Sequence, residues 1–294
     1  MLRSLLRFTL MDNRITVYGS TGFIGSRFCQ LNENNVIKNK RDDYVTKSDE
    51  ILYLISTVDN YNIHQNLEID IDTNLKTLMK VLGSIDQKEG VTFNFISSWF
   101  VYGKNYNIPF REDDTHCNPT GFYSITKRCA EQLLISFCET HGIKYRIFRL
   151  ANVLGPGDKK ISKKKNALQF LINEIVNDRD IPLYYGGEVL RDYIHVDDVC
   201  SAISHCIRNA PFNEIINIGS GRPYRFLDMI NKAIEYSNSK SKIVYIDPTK
   251  FHDIVQIRHS YLNTSKLNSY GFKQEKNMDE VIEELVDFYR MNNE

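Results

Sequence analysis

The feature that most constrains this chain is a seven-residue run, Gly19-Ser20-Thr21-Gly22-Phe23-Ile24-Gly25, placed directly after the strand-like Ile15-Thr16-Val17-Tyr18 and opening a helix-like stretch. Glycines at such a junction permit a tight turn and let backbone N–H groups approach a pyrophosphate at the helix N-terminus. The spacing is GxxGxxG, not the commoner GxGxxG, and glycines also serve plain turns. Position decides between these readings. As the first strand–turn–helix of an alternating chain, the run is expected to form a dinucleotide site with Gly19, Thr21, Gly22, Phe23, Ile24 and Gly25 as contacts.

From Ile15 onward, short β-rich runs alternate with longer amphipathic stretches, the pattern of βα units on a parallel sheet. Strands are expected over 15–18, 36–37, 51–56, 92–97, 145–150 and 215–218. Helices are expected over 23–31, 72–82, 123–140, 167–177, 199–208 and 226–236. Between Asn39 and Glu50 there is hardly room for a helical crossover with its own strand, so one unit of the doubly wound sheet is expected to be abbreviated. After Gly155 the texture changes to longer loops and a Lys-rich stretch over 159–165. The expected α/β architecture is a Rossmann-type domain over 11–155 and a smaller C-terminal substrate-binding lobe over 156–294, with late returns to the first domain. Residues 1–10 read as an extension ahead of a natural start at Met11.

The 37 basic residues balance 37 acidic ones, so a general basic field for nucleic acid is not supported and any anion site must be local. No apolar run is long enough to span a bilayer. The N-terminal residues around Arg3 and Arg7 are too short for a secretory signal. Six cysteines are scattered without a CxxC pair or a close Cys/His cluster, so no metal is expected and the thiols suit a reducing, cytoplasmic compartment.

About twenty residues past the glycine loop, an acidic residue would hold the ribose 2′-hydroxyl of NAD. The region reads Lys38-Asn39-Lys40-Arg41-Asp42-Asp43. Lys40 and Arg41 suit the 2′-phosphate of NADP, whereas Asp42 or Asp43 suits NAD, and a solvated charged turn would need neither. The balance favours NADP.

Tyr123 and Lys127 lie four apart in a helix-like stretch, so both emerge on one face. A phenol is a poor base at neutral pH, but a nearby ammonium and a cationic nicotinamide ring favour its phenolate. Tyr123 then shuttles a proton to or from a sugar oxygen while hydride moves at the same carbon, and Lys127 also holds the nicotinamide ribose. Ser98, at the end of an upstream strand, is placed to hold the reacting oxygen. Each feature alone has an ordinary explanation, a helix surface pair or a strand-end turn.

Together, the segments GSTGFIG, SSWFVYG, YSITK, ANVLGPGD and RDYIHVDDV resemble, in order and spacing, the extended short-chain dehydrogenase/reductases, which include nucleotide-sugar epimerases, dehydratases and reductases. The resemblance runs from about Ile15 to the C-terminus, where TSKLNSYGF resembles the family's late helix-and-turn segment. It implies Tyr123 as acid/base, Lys127 as its partner and Ser98, rather than Ser97, as the third member. It also implies substrate contacts from Asn152 and Arg191, with Asp192 and His195 mainly structural. Trp99 is expected to face the sugar. Arg258 matches a nucleotide-binding arginine loosely, and a second register places Asp253 there. A run of lysines over 163–165 reaches a diphosphate or is a solvated loop.

Departures from the family narrow the reaction. The 4,6-dehydratases carry acidic residues just after the catalytic Ser or Thr, where this chain has Trp99 and Phe100. The 3,5-epimerase/reductases carry a cysteine near the VY pair, where it has Phe100. What remains is reduction of a 4-keto sugar, slightly favoured by the basic turn and the compact 39–50 stretch, or 4-epimerisation with a tightly held NAD. The expected partner is a nucleotide sugar. A catalytically silent dinucleotide-binding protein is the competing class. A homodimer is expected through the helices at 72–82 and 123–140, with Leu75, Leu78, Leu133 and Phe137 as contacts, unless these pack on the sheet.

Overall fold

The computed structural model describes residues 14–293 apart from 65, 87–88, 105–106, 115, 160 and 163. The expected extension over 1–10 and Lys163 lie outside the described residues.

The chain opens with β1 (Ile15–Tyr18), buried along its whole length, which feeds the glycine turn and α1 (Phe23–Leu31). Two short strands follow, β2 (Val36–Lys38) and β3 (Glu50–Tyr53). A helical stretch is then built from α2 (Ile69–Ile71), a π-turn over Asp72–Lys76 and α3 (Thr77–Gly83). The long buried strand β4 (Thr92–Ser98) precedes α4 (Phe122–His141) and β5 (Lys144–Leu150).

Beyond the sheet's first half come β6 (Asn152–Leu154), α5 (Ala167–Val176), β7 (Ile181–Tyr184), β8 (Leu190–Arg191), β9 (Tyr193–His195) and α6 (Val196–Asn209). Then follow β10 (Glu214–Ile218), β11 (Tyr224–Arg225), α7 (Phe226–Ser237), β12 (Ile243–Ile246) and α8 (Lys250–Val255). The chain finishes with β13 (His259–Ser260), α9 (Ser265–Ser269) and α10 (Met278–Asn293).

The main sheet has the order β10-β5-β4-β3-β1-β2 and every neighbouring pair is parallel. Successive residues of its strands feed opposite cores, as the two-residue repeat requires. Leu52 joins the core beneath α1 and α6, while Ile51 and Tyr53 join the one beneath α3 and α4. A third core, formed by Leu171, Ile172, Ile230, Ile282 and Leu285, binds α5, α7 and α10 together.

The stretch over 39–49 carries neither helix nor strand, so the crossover unit between β2 and β3 is indeed absent. The chain passes from the β2 edge across β1 to β3, and this reversal opens a crevice at the carboxyl ends of the strands. The expected strand over 51–56 is shorter in the structure. It ends at Tyr53, because Thr57 N–H and the Ser56 hydroxyl bond to the Asn74 side chain instead of extending a ladder. The late helix α10 was not among the expected elements. Leu78 is fully buried in the sheet-side core and is unavailable as a dimer contact, whereas Leu133 is 39% exposed.

Candidate active site

The glycine loop forms at the end of β1. Gly19 takes φ +84°, a conformation an L side chain rarely adopts, and its carbonyl accepts from Gly22 N–H at 3.1 Å. Gly25 lies so close under the turn that an added Cβ would come 2.2 Å from the Gly19 oxygen. The first helical bond is Ser26 N–H to the Gly22 carbonyl at 2.8 Å. The preceding amides, on Phe23, Ile24 and Gly25, have no helical partner, and exposed Thr21 and Gly22 leave an open anion cradle above them.

At the end of β2 the expected contacts Lys40 and Arg41 are exposed. Asp43 is committed to Lys47 at 2.6 Å, which together with the Val45 N–H holds its carboxyl below the ordinary range. Sequence reasoning passed over Asn39. Its Nδ2 donates to the carbonyls of Asp43 and Val45 at 3.2 and 2.9 Å, which identifies the other atom as oxygen. That buried Oδ1 has no partner among the described residues. It is an acceptor awaiting a donor beside the glycine loop, where Ser20 Oγ donates to the Asn39 carbonyl.

Ser98 ends β4 and caps the turn over Trp99–Tyr102, its Oγ accepting from Phe100 N–H at 3.3 Å. Ser97 donates instead to Glu131 Oε1 at 2.5 Å, so of the two neighbours Ser98 is the one whose hydroxyl acts on the Tyr123 phenol. Tyr123 and Lys127 sit one turn apart on the buried face of α4. Lys127 Nζ donates to the Ile96 carbonyl at 2.6 Å and lies 4.2 Å from the Phe95 ring centroid. Burial lowers its pKa to about 7, against the pull of Glu131.

Burial raises the Tyr123 phenol above its ordinary value, the Ser98 hydroxyl pulls it down, the Asp70 charge adds to the rise and the Ser56 hydroxyl pulls it down again.

Beneath the site lies a buried charge network. Arg149 holds Glu131 through two bonds of 3.0 and 2.8 Å, and Arg128 adds a third at 2.8 Å. Burial alone would raise the Glu131 carboxyl, but Arg149, Ser97 and Arg128 together outweigh it and hold it below the ordinary range.

In front of Phe100 opens a cavity of about 920 Å³. Of the residues expected from sequence to touch the substrate, Trp99, Asn152, Arg191 and Arg258 line it together with Asp253, Lys164 and Lys165, while Ser98 is not among its lining residues. Trp99 stacks on Phe100 at 4.0 Å, and Arg191 lies over Trp99 at 5.6 Å. Arg191 Nη1 donates to the carbonyls of Leu190 and Arg258, and among the described residues no carboxylate pairs with either arginine. Asn152 Nδ2 donates to the Asp192 carbonyl at 2.9 Å.

Asp192 and His195 are buried, as expected of structural groups. The Asp192 carboxylate accepts from Ser220, Gly221 and Leu262, yet burial still pushes it up to about 6. Asp253 accepts from the Tyr185 hydroxyl at the far end of the cavity, and Arg258 stands over the Tyr185 ring at 5.4 Å. Lys165 is paired with Asp158 at 2.6 Å and lies 5.7 Å from the Phe23 ring; Lys164 lines the cavity. An aromatic group formed by Tyr61, Tyr184 and His252 also faces the cavity. Its members are far apart in sequence, and no local signal marks them.

A family model described as NAD dependent epimerase/dehydratase family matches residues 15–219. The low-salt glycan biosynthesis protein Agl12 of Haloferax volcanii is 28% identical over 252 residues, 84% of this chain and 77% of that protein. Among solved structures, UDP-glucose 4-epimerase from Thermotoga maritima with UDP-glucose aligns with a TM-score of 0.85 at 23% identity, covering 96% of this chain and all of that one (100%). RMD from Pseudomonas aeruginosa complexed with NADPH aligns with a TM-score of 0.83 at 18% identity, covering 95% and 99%. At these identities the structures establish a shared fold. Among the described residues no helix is long and apolar enough to cross a membrane.

Proposed function

The chain belongs to the NAD dependent epimerase/dehydratase family, and from that premise we propose that it is a nicotinamide-dependent oxidoreductase acting at a ring carbon, C4, of a nucleotide-linked sugar, working as a ketoreductase. The observation that carries the direction is the exposed pair Lys40 and Arg41 at the end of β2, which suits the phosphate of NADPH, a reductant consumed at each turnover.

The residues present fit the cofactor. The free amides of the first turn of α1 suit a pyrophosphate, and the orphaned Asn39 Oδ1 suits a ribose hydroxyl donor. Both NAD and NADP carry such a hydroxyl, whereas only the phosphate of NADP gives exposed Lys40 and Arg41 a partner. This supports NADP. When bound, the nicotinamide supplies hydride to the carbonyl carbon. Ser98 holds the carbonyl oxygen and Tyr123 gives it a proton. Lys127 orients the nicotinamide ribose, and the unpaired Arg191 and Arg258 take the substrate's diphosphate, with Asn152 and Trp99 against the sugar.

Trp99 and Phe100 carry no acid or base beside Ser98, which argues against a dehydratase. The second reading is a 4-epimerase with retained NAD, favoured by the fold shared with UDP-glucose 4-epimerase. A homodimer belongs to the same proposal, since Ile71, Met79, Ile125 and Leu133 leave exposed apolar groups on α2, α3 and α4; a monomeric mass at micromolar concentration would remove it.

The deciding experiment incubates the protein with a panel of nucleotide sugars and 4-keto nucleotide sugars plus NADH or NADPH. Stoichiometric cofactor consumption is expected. Turnover to a stereoisomer without consumption establishes the epimerase, and no turnover with any member sinks both.

A further inference from the structure

A series of contacts runs along the large cavity, away from its catalytic end. Phe100 contacts both Tyr123 and Trp99. Arg191 lies 5.6 Å over the Trp99 ring, and its Nη1 donates to the Arg258 carbonyl at 2.8 Å. The Arg258 guanidinium stands 5.4 Å over the Tyr185 ring, and the Tyr185 hydroxyl donates to Asp253 Oδ1. The order along the cavity is therefore aromatic rings, two cations, a phenol and a carboxylate.

Asp253 is the only carboxylate among the described residues that line this cavity, against Lys104, Lys164, Lys165, Arg191 and Arg258. Its place is fixed from several sides. Thr249 Oγ1 caps α8 by accepting from His252 N–H, the Asp253 carbonyl accepts from Lys104 Nζ at 2.9 Å, and the Ile254 carbonyl accepts from the Thr120 hydroxyl at 2.9 Å. Tyr185 takes φ +52°, a backbone conformation costly for a bulky L residue; such strain persists only where neighbours hold it, and it clusters at ligand clamps. Among the described residues only the Tyr185 phenol bonds the exposed Asp253 carboxylate, which leaves most of its lone pairs open to the cavity.

A carboxylate accepts hydrogen bonds and donates none. The phosphates of a substrate offer it no donor and repel it, so Asp253 does not add to the anion site of Arg191 and Arg258. A nucleotide sugar with its sugar against Trp99 and its diphosphate at the two arginines next presents the ribose of its nucleoside. The 2′- and 3′-hydroxyls are the first donors past the diphosphate. They sit side by side, and the two oxygens of one carboxylate can take both as charge-assisted bonds. In the register that sets Asp253 at the family's nucleotide-binding arginine, this chain has an acceptor where a cation is expected.

We propose that Asp253, held by the Tyr185 hydroxyl, accepts from the 2′,3′-diol of the substrate and so restricts this chain to sugars carried on a ribonucleoside diphosphate, against those carried on a 2′-deoxynucleoside. The inference rests on the reading of the cavity as a nucleotide-sugar site. A site that bonds a hydroxyl rejects the analogue lacking it, because the acceptor covered by the ligand is left without that partner. Tyr185 acts through Asp253 and is a positioning residue.

The test is isothermal titration calorimetry with the tighter of NADH and NADPH saturating, so that the dinucleotide site is closed to the ligands. UDP, GDP, CDP and ADP are each measured beside the 2′-deoxy form, together with dTDP. The tightest ribonucleotide is expected to exceed its 2′-deoxy form at least roughly tenfold in affinity. Asp253→Ala is expected to bring that ratio close to one by weakening the ribonucleotide alone; Asp253 is exposed on α8, so the change leaves the core untouched. Tyr185→Phe, which keeps the ring beneath Arg258, is expected to narrow the ratio part of the way, and an unchanged ratio there overturns its holding role. Equal affinities in the native chain, a ratio that survives Asp253→Ala, or dTDP binding above every ribonucleotide overturns the proposal. If Asp253→Ala tightens both forms alike, the carboxylate only repels phosphate and the proposal falls as well. Binding of none of these nucleotides defeats the nucleotide-sugar reading itself, whereas binding without discrimination defeats only the role of Asp253.

Discussion

Phe100 meets Tyr123 edge-on, with ring centroids 6.1 Å apart and planes at 84°. Phe100 also stacks on Trp99 and lines the large cavity, so its ring holds the Tyr123 ring in place at that cavity. Replacing it by alanine loosens the placement of Tyr123. Phe100→Ala is expected to lower kcat by roughly 10²-fold while cofactor affinity is unchanged. Steady-state kinetics alongside a cofactor titration check this, and an undiminished kcat would refute the role of Phe100.

Lys40 and Arg41 decide between the two cofactors. A hydrogen bond to a charged group contributes about 1.5–3 kcal/mol, so removing both cations by Lys40→Ala/Arg41→Ala is expected to weaken NADPH binding at least roughly tenfold. NADH binding should stay level. Fluorescence titration with each cofactor measures the contrast, and equal losses for both would return the turn to a solvated surface role.

The lowered Lys127 gives the cofactor-free protein a pH signature. The folded chain releases this proton near pH 7, whereas the unfolded chain keeps it to about 10.4. Between those values the unfolded state binds more protons, so this group makes stability rise with pH. Denaturant melts at pH 7, 8 and 9 should show the rise in the native chain and a flatter profile in Lys127→Met.

Glu131 and Arg149 are 0% and 1% exposed, and the pair stands directly beneath the catalytic strand end. Removing one partner leaves the other charge buried and alone. Glu131→Ala is expected to destabilise by about 3–5 kcal/mol, read as a fall in urea midpoint at unchanged slope. A loss below about 1 kcal/mol, the scale of a surface pair, would show that solvent reaches the network.

Local patterns carried most of the scaffold. The run before and through the glycine loop anticipated β1 and α1 because burial and helix start both act within a dozen residues there. The missing unit over 39–49 was legible from length alone. Helix α10 is equally readable, since Val281, Ile282, Leu285, Val286 and Tyr289 are all buried at helical spacing. Site residues divide differently. Ser98, Tyr123 and Lys127 were found because they belong to motifs, but Asn39 belongs to none: its place is set by the local turn, through the carbonyls of Asp43 and Val45. The rise of the phenol has burial as its largest cause, and the packing that buries it is not legible in a motif.

The absent crossover between β2 and β3 also changes the sheet's rim. A doubly wound sheet that ended on a long apolar strand would expose a row of free backbone groups to other molecules. Here the rim is β2, three residues long, with Lys38 exposed at its end. The shortened sheet therefore offers too brief and too charged a margin to recruit a foreign strand, and the chain dispenses with a βα unit without acquiring a self-association hazard on that side.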